Sequence, residues 1–261
     1  LMRETPNLVG VLQNVNPART NLVLGPVTRT IAGRTYYHEV LDGLLLKVSL
    51  KSFLQVNSRQ AEILHAVVRE ALGQPSHPKK KQWGTVLDLY SGIGTLALAV
   101  ASRADYVIGV EEIQAAVLDA RENAKLNHRK NVDFIEGDVA RALLQLKDQG
   151  LTRADAVLVD PPRKGVLPEV LARVAALHPE RVVYVSCDPA TLARDLEMLS
   201  KHGYSVDWVQ PLDMFPQTYH VETVVRLTRN MPASIGLGMG QEEETAPFRL
   251  PQEAEPGDVL E

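Results

Sequence analysis

The chain has 261 residues, 45% of them hydrophobic, which is enough to bury one large core with a small appendage. Its single cysteine, Cys187, excludes an internal disulfide and any four-cysteine metal or iron–sulfur site made by this chain alone, and no run of about 18 apolar residues is present to span a membrane. The net charge of -4 is uneven, because residues 241–261 carry seven acids against one base, and the slightly basic body that remains permits a nucleic-acid partner without requiring one.

Leu1 precedes Met2, strand-like sequence begins almost at once, and no signal-peptide pattern appears, so a piece of a longer protein is expected. Residues 8–56 alternate short apolar runs (8–15, 21–25, 36–40, 44–50) with turn signals, among them Asn16-Pro17 and the hairpin signal Asp42-Gly43. Asn57 can cap a helix with Gln60 at its third position, and Leu64, Val67, Val68, Ala71 and Leu72 follow at helical spacing up to Gly73. Residues 74–82 are a polar connection containing two prolines. From Thr85 the pattern becomes strand, helix, strand, helix, with strands expected at 85–90, 106–111, 132–138, 155–160 and 182–186. Repeated βα units imply a doubly wound α/β fold, a mostly parallel sheet with helices on both faces. Two further strands after Gly203, with no helix between them, complete seven strands as an antiparallel hairpin at the sheet edge. The expected organisation is a β-rich part at 1–57, a helix and linker at 58–82, the main domain at 83–229 and a disordered acidic tail at 230–261.

Cys187 ends the apolar β-branched run 182–186, and Asp188-Pro189 stops that strand before a helix. A lone cysteine is most often a small core residue, but ligands of open α/β sheets sit beyond the carboxyl ends of the strands, where this thiol is delivered. The first strand-to-helix turn reads Asp88-Leu89-Tyr90-Ser91-Gly92-Ile93-Gly94-Thr95, with glycines that let the backbone approach a ligand. Gly92-x-Gly94-x-x-Ala97 with Glu111 further on also satisfies a dinucleotide fingerprint, so a nicotinamide oxidoreductase is a rival reading. Asp88 argues against it, because an acid before the loop repels a pyrophosphate and suits a cationic ligand. Glu111 would bind ribose hydroxyls in either case. Asp138 either lies beside an adenine or caps a helix. Asp160-Pro161-Pro162-Arg163 ends the fourth βα strand and would hold Asp160 rigidly beside a planar substrate; the simpler reading is a strand terminator.

With these motifs in place the chain resembles the RNA uracil-5-methyltransferase family. The resemblance runs in order through residues 52–57 (SFLQVN), 86–95, 109–117, 160–165 (DPPRKG), 184–196 and 213–224, and covers about 7–227. It implies a class I, Rossmann-like methyltransferase fold, S-adenosyl-L-methionine as cofactor, an RNA substrate, and no metal in this chain. It also implies Cys187 as nucleophile, Glu222 as the base that removes the C5 proton, and Gln55, Tyr90, Glu111 and Asp160 as cofactor contacts. Thr95 stands where some members have Asn. Gly92, Gly94 and Asp138 join the candidate cofactor set from the loop reading.

The chemistry explains these residue types. Uracil C5 is a poor nucleophile until a thiolate adds at C6, and the methylated adduct then needs a carboxylate to take the C5 proton. An environment that lowers the thiol pKa of Cys187 is therefore expected; Phe53, Tyr219 and Phe215 are candidates to stack on the base, a core position being the simpler reading of each. Residues 8–57, and 6–25 in particular, look more like the ribosomal branch of the family, which favours ribosomal over transfer RNA, although the β-barrel and four-cysteine iron–sulfur site that such members often carry are not in this sequence. A monomer is expected, in the cytoplasm, or in a plastid or mitochondrion if a targeting segment precedes Leu1. A non-catalytic RNA-binding remnant of the same family is the third reading.

Overall fold

The computed structural model describes residues 2, 4–17, 24–77, 80–230 and 248–251. Two hairpins open it, β1 (Gly10–Val15) with β2 (Val27–Gly33), and β3 (Tyr36–Leu41) with β4 (Leu44–Ser49). The expected strand at 21–25 falls mostly outside the described residues. Asp42 and Gly43 both have positive φ, 53° and 74°, the pairing a tight two-residue hairpin turn requires. Helix α1 (Ser58–Leu72) follows, its amino end capped by Asn57, whose side chain accepts the Gln60 N–H as the sequence predicts. The Asp42 carboxylate reaches Arg69 and His65 of α1, which ties the hairpin turn to the helix.

The main sheet contains β5 (Trp83–Leu89), β6 (Ala104–Glu111), β7 (Val132–Glu136), β8 (Ala156–Val159), β9 (Arg181–Ser186), β10 (Tyr204–Leu212) and β11 (Glu222–Arg229), in the order β10-β11-β9-β8-β5-β6-β7. Strands β5 to β9 pair in parallel, and β11 runs antiparallel to both its neighbours, β9 and β10. The helices α2 (Thr95–Val100), α3 (Gln114–Leu126), α4 (Val139–Asp148), α5 (Pro168–Ala176) and α6 (Pro189–Lys201) connect them.

Side chains alternate across a strand, so a strand covered on both faces feeds two cores. Val183 and Val185 of β9 join a core with α1, α2 and α3, whereas Val182 and Tyr184 join a second core with α4, α5 and α6. That explains the unbroken apolar runs. Leu41, Leu44, Leu46 and Val48 of the second hairpin also belong to the first core, so one core runs across the expected boundary at residue 57.

Part of the tail departs from the expectation of disorder. Residues 248–251 lie against the body: the Phe248 N–H donates to Thr85 Oγ1 at 3.2 Å, the Leu250 N–H to the Tyr106 hydroxyl at 3.3 Å, and both side chains pack on the second core. Residues 231–247 and 252–261 are outside the described residues.

Candidate active site

The register of two strands builds the centre of the site. In the antiparallel pair β9–β11, Thr223 sits opposite Ser186, so one step further sets Glu222, the first residue of β11, beside Cys187 at the carboxyl end of β9. Glu222 is buried and Cys187 half-buried. A cleft of about 190 Å³ opens on the thiol, lined by Arg163, Cys187, Asp188, Pro189, Tyr219 and His220. Arg163 Nη2 lies 3.4 Å from His220 Nε2. The rings of Tyr219 and His220 are tilted together with centroids 4.2 Å apart, and Tyr219 is 89% exposed.

The electrostatics correct one expectation. The thiol of Cys187 is pushed above its ordinary value, by burial first and then by the negative charges of Glu222 and Asp160; Arg163 pulls the other way. Burial likewise raises Glu222, against Arg163. The first reason is burial of both groups; for the thiol the carboxylates at the ends of β8 and β11, Asp160 and Glu222, add to it.

The other half of the site is the loop after β5. Tyr90 at φ 64°, Gly92 at 55° and Gly94 at 85° turn the chain sharply into α2. Gly92 has open space where a Cβ would be, so the backbone is accessible there, whereas a Cβ on Gly94 would run into Phe134 at 2.5 Å. Glu111 braces the loop: one oxygen accepts the Gly92 N–H at 3.0 Å and the other the Ile113 N–H at 2.8 Å. Asp88, fully buried, accepts the Ala97 N–H at 2.9 Å through Oδ2, while its Oδ1 has no partner. Burial, with Asp160 and Glu111 nearby, pushes Asp88 up to about 8. Burial and Glu222 push Asp160 up to about 7.

Gln55 Oε1 and Ser91 Oγ are also buried without partners. Such groups are costly unless something pairs with them. Together with the open backbone at Gly92, they fit a polar ligand carrying a positive charge and hydroxyls. Tyr90 is held neutral, pushed up to about 12 by burial and by Asp138 among nearby acids. Asp138 caps α4, accepting the Arg141 N–H at 3.1 Å, so the cap reading describes its observed contact. Thr95 is the first residue of α2 and half-buried. Of the three stacking candidates, Tyr219 lines the cleft, Phe215 packs on the first core, and Phe53 lines a different groove.

The sequence reads Ala190–Leu199 as the helix after the Cys187 strand and assigns its polar side chains no task. The structure gives α6 a second task, clamping the 160–166 loop that carries Arg163. Thr191 Oγ1 donates to the Arg163 carbonyl at 3.1 Å, Arg194 Nη2 to the Lys164 carbonyl at 3.0 Å, and buried Asp195 accepts the Val166 N–H at 2.8 Å and the Tyr184 hydroxyl at 2.7 Å. Gly165 at φ 72° lies under this clamp, and a Cβ there would meet Arg194 at 2.5 Å and Asp195 at 2.6 Å. A buried acid at a helical position was the available signal.

Comparison with known proteins fits this geometry. The sequence model of the tRNA (Uracil-5-)-methyltransferase family matches residues 43–230. An uncharacterized RNA methyltransferase of Caldanaerobacter subterraneus subsp. tengcongensis is 42% identical over 229 residues, 88% of this chain and 49% of that protein. Another from Gloeobacter violaceus is 45% identical over 230 residues, 88% of this chain and 48% of that protein. The chain thus spans about half the length of the curated relatives it matches. Among solved structures, the tRNA (uracil-54, C5)-methyltransferase of Pyrococcus abyssi, in complex with S-adenosyl-L-homocysteine, aligns with TM-score 0.69 and 32% identity over 85% of this chain and 51% of that one. The Trm5b protein of the same organism shares the fold at TM-score 0.61 and 16% identity, over 88% of this chain and 67% of that one. The chain belongs to the tRNA (uracil-5-)-methyltransferase family.

Proposed function

We propose that this chain is the catalytic part of an S-adenosylmethionine-dependent enzyme that methylates C5 of a uridine in RNA. The observation that carries the reading is the placement of Cys187 beside Glu222 by the β9–β11 register, next to an acid-lined glycine turn. S-adenosylmethionine, when bound, supplies an electrophilic methyl group on a sulfonium; the positive charge of such a ligand suits Asp88 and Asp160, and its ribose hydroxyls suit Glu111. Gln55, Tyr90, Gly92, Gly94, Thr95, Glu111, Asp138 and Asp160 are the residues proposed to hold it.

The thiolate of Cys187 adds to uracil C6, and the electrons of the C5–C6 double bond move onto the ring as an enolate. C5 would then take the methyl group as its bond to the sulfonium sulfur breaks, with neutral S-adenosylhomocysteine as the leaving group. Glu222 accepts the C5 proton, the C5–C6 double bond re-forms, and the Cys187 sulfur leaves as thiolate. Arg163, the cation that opposes the rise in the Cys187 and Glu222 pKa values, favours the ionised forms of both. The base must leave its stack to reach this cleft, which costs a few kcal/mol in a duplex and less in a loop. The RNA is proposed to be ribosomal, on the character of residues 6–25; those at 18–23 lie outside the described residues.

Covalent trapping tests the mechanism. With S-adenosylmethionine and RNA containing 5-fluorouridine, C5 carries fluorine that Glu222 cannot remove as a proton, so an adduct on Cys187 is expected on a denaturing gel. Its loss in Cys187→Ala supports the assignment; methylation that survives Cys187→Ala overturns it. Ribosomal and transfer RNA run side by side decide the RNA class.

A further inference from the structure

A second groove, of about 360 Å³, lies on the amino-terminal side, between the start of β1, the start of β3 and the 50–56 connection. Its character differs from that of the thiol cleft. Large apolar side chains stay exposed around it, Tyr37 at 42% and Phe53 at 68%, where a folded chain ordinarily hides them. The Tyr36 ring in its wall is flanked by two cations, the Arg34 guanidinium of the lining at 5.4 Å and, behind the lining, the Lys47 ammonium at 5.1 Å from the centroid, which pairs with Asp119 at 3.4 Å. None of the described residues lining the groove is acidic.

The groove is also firmly anchored. Ser49 and Ser52 in its floor both donate their hydroxyls to the buried Asp119 of α3, at 2.9 and 2.7 Å. The connection that forms the floor runs on to Gln55 and to Asn57, whose Nδ2 donates to the Met214 carbonyl at 3.1 Å in the loop leading to Glu222. One stretch of backbone therefore borders the groove and braces the catalytic half.

Apolar walls with exposed aromatic rings, one cation, Arg34, and no acid in the described lining match the two parts of an unstacked nucleotide, a base that stacks on any aromatic face and a phosphate that seeks Arg or Lys. We propose that this groove holds a nucleotide of single-stranded RNA other than the target uridine, its base against Tyr37 and Phe53 and its phosphate at Arg34. The inference rests on the RNA reading of the proposed function. It adds a site that positions the strand while Cys187 acts elsewhere.

The test is fluorescence anisotropy with a labelled oligouridine, on the wild-type chain and on Arg34→Glu and Tyr37→Ala. Tyr37→Ala should weaken binding about tenfold, the effect of losing one aromatic stacking partner. Arg34→Glu should weaken it and also flatten the dependence of log affinity on log salt by about one, the mark of a lost phosphate contact. Melting temperature and S-adenosylhomocysteine affinity, measured on the same samples, should match wild type. Unchanged oligouridine affinity in both variants, the outcome if the groove takes a peptide instead, overturns the proposal, as does a wild-type chain that does not bind oligouridine. If the groove variants lose RNA but no Cys187 adduct ever forms, the groove stands and the methyl-transfer reading falls; if adducts form and the variants bind like wild type, the groove alone falls.

Discussion

Asn123 of α3 holds the backbone of Lys47 in β4 with both ends of its amide. The Lys47 N–H donates to Asn123 Oδ1 at 2.6 Å, and Asn123 Nδ2 donates to the Lys47 carbonyl at 3.2 Å. Asn127 repeats the pattern on Leu45, at 2.9 and 2.8 Å, and Asp119 accepts the Ser49 N–H at 2.8 Å. Four residues of helix rise about 6 Å and two residues of strand about 6.8 Å, so positions four apart on α3 meet alternate residues of β4. The helix face thus covers a strand edge that would otherwise be open to non-specific pairing.

Asn123 also donates to the Ile93 carbonyl at 3.1 Å, which joins this edge to the glycine turn of the cofactor half. Asn123→Leu leaves buried backbone groups of Lys47 and Ile93 unsatisfied and should cost about 3 kcal/mol. In calorimetry that is a drop in melting temperature of roughly 10 °C. Weaker binding of S-adenosylhomocysteine should accompany it.

The raised thiol of Cys187 has a direct consequence for pH. Alkylation by iodoacetamide needs the thiolate, so its rate should climb with pH to a midpoint above that of a free cysteine. Arg163→Gln removes the lowering charge and should move the midpoint higher, whereas Glu222→Gln removes a raising one and should move it lower. With one cysteine in the chain, mass spectrometry reads the site without ambiguity. A midpoint below that of free cysteine would contradict the arrangement.

Asp88 and Asp160 bind protons more tightly folded than unfolded, at about 8 and about 7. The unfolded chain releases these protons near the ordinary carboxylate value of about 4, so stability from these two groups is fully present below that pH. It should be lost progressively as pH rises from there to about 8. Asp160→Asn should flatten the slope between about pH 4 and 7, the interval over which Asp160 stays protonated only in the folded chain. Addition of S-adenosylhomocysteine or its cationic analogue sinefungin, followed by thermal melting at each pH, should show the larger gain with the cation above pH 7.

Asp195 tests the clamp on the Arg163 loop. Asp195→Ala removes the acceptor for the Val166 N–H and the Tyr184 hydroxyl, both buried, and should cost about 3 kcal/mol. Since the loop carries Arg163 into the cleft, the KM for RNA should rise as well. Asp195→Asn keeps one acceptor oxygen and should recover part of both losses.

The sequence by itself determined the βα rhythm, the two faces of the sheet, the Asn57 cap, the Asp42-Gly43 turn and the glycine loop after β5, because each follows from periodicity or backbone preference within a few residues. Local pattern also set Cys187 at the end of a buried strand. What only the tertiary structure decided depends on distance in the chain. Glu222 meets Cys187 because the last strand inserts antiparallel beside β9, a pairing of residues 35 positions apart that no local pattern encodes. The thiol is raised, against expectation, because packing buries it and because strand ends remote in sequence bring Glu222 and Asp160 to the same corner. The same holds for Asn123 on Lys47 and Asp195 on the Arg163 loop: a polar stripe on a helix reads as a solvated face until packing has chosen which backbone it meets.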